Sequence, residues 1–327
     1  MDDIILEVKN LKKYFPVQKS SLKAGPQYVK AVDDVSFSIK RGETFSLVGE
    51  SGCGKSTTGR CVIDLIKPTS GIVNFNGKNL VTISEKERRA LSAKMQMVFQ
   101  DPYMSLNPRM PVGKIVEESL EVHGIGKNSS ERIELAMEML EKVGLRADQY
   151  YRYPHGFSGG QKQRIGIARA LILKPDLLVC DEPVSALDVS IQSQVLNLLG
   201  QMKKELGITY LFISHNMSVV RYVSDRIGVM YLGHLVELAE TEELFKNPIH
   251  PYTKALLSAV PEVDIHTKTE PIVLEGEIPS PMNPPSGCVF HNRCRYCKTM
   301  CSDQFPNFRE ISPDHFVSCF CAKDFIK

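Results

Sequence analysis

The order of hydrophobic and polar positions along the chain predicts an α/β protein. Apolar and polar residues alternate over 6–8 and 31–39, which predicts strands in the N-terminal part. A short apolar run over 44–48 predicts a further strand, and the pair Asn76-Gly77 predicts the turn of a hairpin. The chain therefore begins with a β-rich region.

The middle of the chain has a helical pattern, and strands return after it. The apolar spacing is mostly helical from about 84 to 173. The continuous apolar run 177–180 is typical of a strand covered on both faces. A helix is predicted over 191–206 and a strand over 208–213. Strand, helix and strand in this order indicate a parallel α/β core.

The length of 327 residues indicates one large domain with an appendage. We predict a main domain over residues 1–250, which contains a helical subdomain at about 101–172, and a C-terminal extension over 251–327. The proline-rich, polar stretch 261–285 is predicted to be a linker.

Charge and hydropathy restrict the class of partner. Lys and Arg number 40 against 38 Asp and Glu, and a net charge of +2 argues against a strongly basic nucleic-acid binder. No apolar run approaches the roughly 18 residues that span a bilayer. The acidic start at Asp2 and Asp3 is unlike a signal peptide, which predicts a cytoplasmic protein.

A glycine-rich segment matches the phosphate-loop pattern G-x-x-x-x-G-K-[ST] between a predicted strand and a predicted helix. Its glycines let backbone N–H groups approach phosphate oxygens at a helix N-terminus. The lysine supplies positive charge to the β- and γ-phosphates, and the serine that follows it supplies a hydroxyl to Mg²⁺. The residues predicted to bind nucleotide are Gly49, Ser51, Gly52, Cys53, Gly54, Lys55, Ser56 and Thr57.

Two carboxylates follow the apolar strand 177–180. Asp181 is placed to hold Mg²⁺, and Glu182 can polarise an attacking water as general base. An Asp-Glu pair after a strand is commonly just a solvated turn. The phosphate loop earlier in the chain favours the functional interpretation here.

Ser158 begins another helix, which Gly159 and Gly160 open. The serine can cap the helix, and the glycines expose its first N–H groups, so this helix start can also bind an anion. Taken alone, a plain helix cap explains the segment equally well.

At this point the sequence resembles a known family. Residues 157–161, Phe-Ser-Gly-Gly-Gln, resemble the signature motif (usually Leu-Ser-Gly-Gly-Gln) of the ATP-binding-cassette (ABC) ATPases. The resemblance implies that Ser158, Gly159, Gly160 and Gln161 of one subunit complete the ATP site of the other. It also implies an ABC-ATPase core with an N-terminal antiparallel β subdomain, a helical subdomain and a small Cys-rich C-terminal extension.

Further residues resemble the remaining motifs of this family. Gln100 resembles the Q-loop glutamine, which contacts Mg²⁺ and the attacking water and senses the membrane subunits. Asp188, in 185–188, resembles the D-loop, which crosses the dimer interface. His215 resembles the switch histidine at the γ-phosphate. Phe15 best fits the spacing of the aromatic that stacks on adenine. Tyr14 is its alternative, and a plain core role stays open for both.

A narrower resemblance points to one branch of the family. Residues 101–109, 168–171 and 247–253 (Asn-Pro-Ile-His-Pro-Tyr-Thr) resemble the oligopeptide/dipeptide importer ATPases, and within them the F-type subunit. This implies ATP-driven import of di- or oligopeptides by a protein peripheral to the cytoplasmic face of the membrane. The implied partners are a paralogous ATPase or a second copy, two permease subunits and, indirectly, a peptide-binding protein. Nickel importers share the branch and are the alternative.

Two other classes fit the sequence less well. A soluble ABC ATPase acting on nucleic acid usually carries coiled-coil insertions or two cassettes in one chain, and this sequence has neither. A small-molecule kinase would leave 158–161 and His215 unexplained. We therefore expect no nucleic-acid partner.

Six of the nine cysteines lie in the last forty residues. Such crowding in a reducing compartment favours metal or cluster ligation over disulfides. The branch resemblance implies a 4Fe–4S cluster on Cys288, Cys294, Cys301 and Cys319, as in some relatives. Cys297 and Cys321 depart from that pattern. Because Cys294 and Cys297 form a C-x-x-C pair, zinc is an alternative, and free thiols are another.

Overall fold

The computed structural model describes residues 3–17, 27–260 and 271–325. They form two compact units. We call Thr82–Ile213, with Asp3 and residues 40–42, the helical unit, and the described part of 4–39, 43–81 and 214–327 the sheet unit. Part of the predicted linker, 261–270, lies outside the described residues.

The strands of the described residues fall in both units. In chain order they are β1 (Ile4–Pro16), β2 (Tyr28–Lys40), β3 (Thr44–Val48), β4 (Ser70–Phe75), β5 (Lys78–Asn79), β6 (Met95–Val98), β7 (Leu177–Asp181), β8 (Thr209–Ile213), β9 (Arg226–Tyr231), β10 (His234–Glu240), β11 (Arg309–Ser312) and β12 (His315–Val317).

The α-helices of the described residues are mostly short, and the longest belong to the helical unit. In chain order they are α1 (Lys55–Val62), α2 (Glu85–Ser92), α3 (Pro102–Ser105), α4 (Val112–Val122), α5 (Ser129–Lys142), α6 (Gly159–Leu171), α7 (Val189–Leu206), α8 (Met217–Val223), α9 (Thr241–Lys246), α10 (Pro251–Ser258) and α11 (Thr299–Asp303).

The sheet unit contains two groups of strands. One is a four-stranded sheet in the order β2-β1-β4-β5, in which β4 pairs antiparallel with both β1 and β5. The predicted hairpin turn is confirmed, because Asn76 (φ 48°) and Gly77 (φ 75°) are both left-handed. The other group follows the order β11-β12-β10-β9-β3, in which β3 runs parallel to β9. The phosphate-loop sequence leaves the end of β3.

The C-terminal residues add strands to this second group. β12 pairs antiparallel with β10, so that Glu237 lies opposite Val317. The Glu237 carboxylate is fully buried and accepts hydrogen bonds from the N–H groups of Ile249 (2.7 Å) and His250 (2.9 Å). His315 Nε2 lies 2.8 Å from the same carboxylate. The buried carboxylate therefore joins three separate segments of the sheet unit.

The helical unit is built on three parallel strands in the order β8-β7-β6. β7 and β8 are buried at every position, as the continuous apolar runs predict. The predicted helix over 191–206 lies within α7, which Asp188 caps and Gly207 (φ 67°) ends. Strand β6 lies inside the stretch with the helical pattern. Its four residues are too few to show a strand period.

The α/β fold class predicted from the sequence is confirmed. The described residues include no helix long and apolar enough to cross a membrane. The predicted boundary at 250/251 and the predicted limits of the helical subdomain stay predictions.

Candidate nucleotide site

The phosphate loop connects β3 to α1 in the sheet unit. At two of its positions the neighbouring backbone leaves room only for glycine. Gly49 has φ +147°, and a Cβ there would lie 2.1 Å from the carbonyl oxygen of Met230. Gly54 has φ +105°, and its Cβ would lie 2.2 Å from the carbonyl oxygen of Ala31. Both positions therefore exclude every residue with a side chain.

Lys55 begins α1 and is 4% exposed. Its Nζ donates to the carbonyl oxygens of Gly49 (2.7 Å) and Glu50 (2.9 Å), so the side chain folds back over the loop. Gly54, the N-cap residue of α1, supplies no side-chain cap to the first N–H groups. The loop thus combines an ammonium group with the N-terminus of a helix that has no side-chain cap, which is the chemistry that binds phosphate.

The remaining loop residues differ in exposure. Ser51 and Gly52 are exposed, and Ser56 and Thr57 on the first turn of α1 are half-buried. The buried Cys53 lies with its Sγ 3.5 Å from Lys55 Nζ. Burial raises the pKa of the Cys53 thiol, so this cysteine stays protonated at neutral pH.

The two predicted carboxylates lie at the end of β7 in the helical unit. Asp181 is fully buried as the last residue of the strand. Glu182 has a left-handed backbone (φ 46°), which turns its side chain out of the strand alternation. Gln100 Nε2 donates to Glu182 Oε2 over 3.0 Å. The structure thus brings together two of the three predicted catalytic residues.

The predicted signature segment forms the start of α6. Ser158 Oγ accepts a hydrogen bond from the Gln161 N–H, and the Gln161 side chain accepts one from the Ser158 N–H over 3.0 Å. This reciprocal pair is a capping box. Gly160 packs against α7, since a Cβ there would lie 2.5 Å from Ile191 Cγ2. Ser158 is exposed at the start of α6, while Gly159 and Gln161 are half-buried and Gly160 is buried.

Three further predicted site residues are Asp188, His215 and Phe15. Asp188 caps α7 by accepting hydrogen bonds from Ile191 N–H (3.0 Å) and Ser190 Oγ (2.7 Å), and the bond from Ser190 is the main reason that its pKa is lowered. His215 is exposed between β8 and α8. Phe15 is half-exposed on β1. The roles predicted for these three residues stay predictions.

Tyr14, the alternative to Phe15, is engaged elsewhere. Its hydroxyl donates to Asp33 Oδ1 over 2.6 Å. The face of the Phe15 ring lies 4.9 Å from Lys13 Nζ, measured to the ring centroid. Both aromatic side chains are half-buried on β1.

The C-terminal cysteines gather around one small cavity of about 20 Å³ in the sheet unit. All four predicted cluster ligands line it, together with Cys321, while Cys297 is exposed. Burial is the main cause that raises the pKa of Cys288 to about 11 and of Cys319 to about 12. These thiols are therefore protonated unless a metal ion displaces the protons. The lining cysteines are Cys288, Cys294, Cys301, Cys319 and Cys321.

The donor set fits an iron–sulfur cluster in kind, because four thiols face one cavity. The positions of these side chains, however, do not match those of cluster ligands. Within residues 3–17, 27–260 and 271–325, no three His, Cys, Asp or Glu side chains form a group that could hold a metal ion. The side chains would have to turn toward a common centre to bind one.

Two contacts to the phosphate loop were not predicted from the sequence. The Tyr252 hydroxyl accepts a hydrogen bond from the Glu50 N–H, and Arg293 donates to the Glu50 carboxylate. Tyr252 lies in the His-Pro-Tyr segment that the sequence marks, but the pattern carries no signal that this segment reaches the loop.

Solved structures with the same fold define the class of protein. The ATP-binding cassette MJ0796, in the dimeric post-hydrolysis state bound to ADP and Pi, superposes with a TM-score of 0.64 at 29% identity, over 72% of this chain and 98% of that one. The cbiO1 protein of Clostridium perfringens, part of the ABC transporter complex cbiONQ, gives a TM-score of 0.63 at 29% identity, over 75% and 92%. The fold is that of an ATP-binding cassette.

Sequence comparison identifies the branch. A family model described as "ABC transporter" matches residues 32–185, and one described as "Oligopeptide/dipeptide transporter, C-terminal region" matches residues 236–301. The oligopeptide transport ATP-binding protein AppF of Bacillus subtilis (strain 168) is 54% identical over 97% of both chains. The dipeptide transport ATP-binding protein DppF of Haemophilus influenzae is 50% identical over 97% of this chain and 96% of its own. This chain belongs to the ABC transporter ATP-binding proteins of the oligopeptide/dipeptide branch.

Proposed function

We propose that this protein hydrolyses ATP to drive the import of di- or oligopeptides through an ABC transporter. The observation that carries the proposal is the phosphate loop, whose two glycines leave no room for a side chain and whose buried lysine lies across the loop. The names of relatives at 50–54% identity favour peptides over nickel as the transported solute.

The phosphate loop is proposed to hold the triphosphate of ATP. Its N–H groups and the N-terminus of α1 receive the phosphate oxygens, and Lys55 leaves the carbonyl groups of the loop to pair with the β- and γ-phosphates. Phe15 would stack on the adenine. Bound Mg²⁺ would neutralise charge on the phosphates, and the oxygens of Ser56, Asp181 and Gln100 are hard donors that suit it.

Glu182 is proposed to orient and deprotonate the attacking water. The Gln100 amide holds the Glu182 carboxylate at 3.0 Å, and the left-handed backbone at Glu182 aims the side chain away from the strand. His215 is proposed to contact the γ-phosphate. The reaction needs only positioning and charge stabilisation from these side chains, since phosphoryl transfer involves little covalent chemistry with the protein.

A second ATPase subunit is proposed to complete each site. The N-terminus of α6, with Ser158, Gly159, Gly160 and Gln161, would face the γ-phosphate bound to the partner. Asp188, at the start of α7, would cross the interface. The partner is proposed to be a paralogous ATPase, or else a second copy of this chain.

Replacement of the proposed base tests this function. Glu182→Gln keeps the shape of the side chain and its contact with Gln100, so ATP binding should remain within about threefold while turnover falls at least about a hundredfold. The dimer should accumulate with ATP in size-exclusion chromatography. Glu138→Gln, on the exposed face of α5, is the matched control and should leave turnover unchanged. Normal turnover of Glu182→Gln would refute the assignment.

The permease contact is proposed to lie on the helical unit. α3 follows Gln100 directly, and it exposes Tyr103 (59%) and Met104 (86%). Two adjacent exposed apolar side chains close to the Q-loop glutamine support a contact with another protein at this place. The protein would thus be peripheral to the membrane on its cytoplasmic face, held there by two permease subunits that receive peptide from a binding protein.

We propose that Cys288, Cys294, Cys301 and Cys319 hold a structural 4Fe–4S cluster. That all four thiols line one cavity supports this, and on binding they would turn toward a common centre and lose their protons. Anaerobically purified protein should be brown and contain iron and sulfide in equal amounts. Colourless protein with stoichiometric zinc would support the zinc alternative, and metal-free protein would show free thiols.

The chain is proposed to divide functionally at 250/251. Residues 1–250 would form the nucleotide-binding domain, with the helical subdomain at about 101–172, and residues 251–327 the branch-specific extension. The match of the C-terminal family model to residues 236–301 supports an extension in this region.

A further inference from the structure

Glu50, the second residue of the phosphate loop, is held by side chains from the C-terminal part of the chain. Its N–H donates to the Tyr252 hydroxyl over 2.8 Å. Its carboxylate accepts two hydrogen bonds from Arg293, over 2.7 Å from Nη1 and 3.2 Å from Nη2. Its carbonyl oxygen accepts a further bond from Lys55 Nζ over 2.9 Å. The N–H, the carbonyl and the carboxylate of Glu50 are therefore all engaged.

Arg293 and Glu50 form an ion pair with the two-bond geometry of strong ion pairs. Two nitrogens of the guanidinium meet two oxygens of the carboxylate, which fixes direction as well as distance. The Arg293 side chain is 7% exposed and that of Glu50 is 25% exposed, so water screens the pair weakly. Removal of either partner would leave the other charge partly buried and uncompensated.

An aromatic cluster fixes the two residues that hold Glu50. Tyr231 on β9, Tyr252 on α10 and Phe290 are buried, with ring centroids 4.8 Å (Tyr231 to Tyr252), 5.2 Å (Tyr231 to Phe290) and 5.4 Å (Tyr252 to Phe290) apart. Arg293 Nη1 also lies 3.5 Å from the Tyr231 hydroxyl. The hydroxyl and the guanidinium are therefore placed by packing before any ligand arrives.

A phosphate loop binds tightly only if its N–H groups already point at the phosphates. Glu50 follows Gly49, where the chain leaves β3, so its position sets the direction in which the loop begins. On the proposed function of the loop as the ATP site, we propose that Arg293 and Tyr252 are positioning residues for ATP. They hold Glu50, and through it the loop, in the conformation that receives the phosphates. The C-terminal extension thereby becomes part of the ATP-binding machinery.

Equilibrium titration of the full-length chain with a fluorescent ATP analogue tests this inference. Arg293→Ala should weaken binding about tenfold and raise KM for ATP, while kcat at saturating ATP changes less than about twofold, because bound ATP reorders the loop. Arg293→Lys should restore only part of the affinity, since an ammonium cannot make two parallel bonds to a carboxylate. Arg295→Ala, an exposed arginine two positions further on, is the matched control and should bind normally.

A double-mutant cycle separates positioning from a general structural effect. Glu50→Gln with Arg293→Ala should bind ATP no more weakly than Arg293→Ala alone, because both substitutions remove the same ion pair. Tyr252→Phe keeps the aromatic packing and removes only the hydroxyl acceptor, and it should weaken binding about threefold. If Arg293→Ala does not fold, Glu50→Gln and Tyr252→Phe decide the question.

Two results would overturn the inference while leaving the ATP site intact. One is that Arg293→Ala, or both Glu50→Gln and Tyr252→Phe, bind the ATP analogue as tightly as the unmodified chain. The other is that the losses of affinity in Glu50→Gln and in Arg293→Ala add in the double variant. Failure of the unmodified chain to bind the analogue would instead refute the proposed function of the loop.

Discussion

At the scale of single residues, the unusual backbone conformations lie next to the chemistry. Gly49 and Gly54 have positive φ where the loop passes close to the carbonyl groups of Met230 and Ala31. Glu182, which has a side chain, has φ 46°, a conformation that costs of order 1 kcal/mol or more. Because of this conformation, the Glu182 side chain departs from the alternating directions of a strand, and its carboxylate accepts a hydrogen bond from Gln100.

Gly54→Ala tests whether the loop depends on this close approach. The new Cβ would lie 2.2 Å from the Ala31 carbonyl oxygen, so the backbone has to shift and the N–H groups lose their direction. We expect ATP affinity to fall more than about tenfold in equilibrium titration.

Gly42→Ala is the control for positive φ alone. Gly42 has φ +75° but open space where a Cβ would stand. The Gly42→Ala substitution should lower the free energy of unfolding by about 1 kcal/mol and leave ATP affinity unchanged. Equal ATP affinity in Gly54→Ala and Gly42→Ala would contradict the steric argument.

The residues of the loop could be predicted from the sequence because the pattern itself specifies the required backbone. The contacts that hold the loop could not. Tyr252 and Arg293 lie 202 and 243 positions from Glu50 along the chain, and no local pattern encodes such a meeting. Likewise, Lys55 was identified by its type, while its hydrogen bonds to the loop carbonyls depend on the folded geometry.

At the scale of elements, α6 and α5 offer a comparison between a cap that is proposed to face a ligand and one that is not. Ser158 caps α6 and Asn128 caps α5, each by accepting a hydrogen bond from the N–H three residues on. Ser158→Ala and Asn128→Ala should each lower the free energy of unfolding by about 1 kcal/mol. Only Ser158→Ala should also lower kcat for ATP hydrolysis, by more than about tenfold, because only α6 is proposed to face the γ-phosphate.

Denaturant unfolding and steady-state ATPase assays on the two variants check this. Equal kcat values would reduce Ser158 to a plain helix cap. That is the alternative which the sequence alone left open for this segment.

Elements with a strong local signal were predicted, and those without one were missed. Two hairpin turns show the difference. Asn76-Gly77 and Leu232-Gly233 both have two residues with positive φ, but leucine is a poor residue for that conformation and gives no turn signal. Strand β6 was missed because its four residues follow a helical stretch and three of them are buried.

At the scale of the whole molecule, a family model identifies residues 236–301 as an oligopeptide/dipeptide transporter C-terminal region, while packing determines what these residues touch. The motif around His250 was predicted from the sequence to mark the branch. The sequence pattern did not predict that β12 would pair with β10, or that Tyr252 and Phe290 would pack on Tyr231. These contacts depend on side chains from distant segments, for which the chain carries no periodic signal.

The exposed tip of α3 allows a test of coupling to the membrane subunits. Met104→Glu should leave ATP hydrolysis by the isolated chain unchanged and reduce its co-purification with permeases at least about fivefold, because a charge would enter an apolar contact. Val122→Glu, at the exposed end of α4, should change neither ATP hydrolysis nor co-purification with the permeases. Normal permease binding by Met104→Glu would place the contact elsewhere.

The central claim is that ATP hydrolysis by this chain drives peptide import. Uptake of a radiolabelled oligopeptide into cells lacking the chain tests it most directly, with ⁶³Ni²⁺ uptake measured in parallel. Peptide uptake should be lost, restored by the unmodified chain and not restored by Glu182→Gln, while nickel uptake stays unchanged. Peptide uptake that persists without the chain, or that Glu182→Gln restores, would contradict the account.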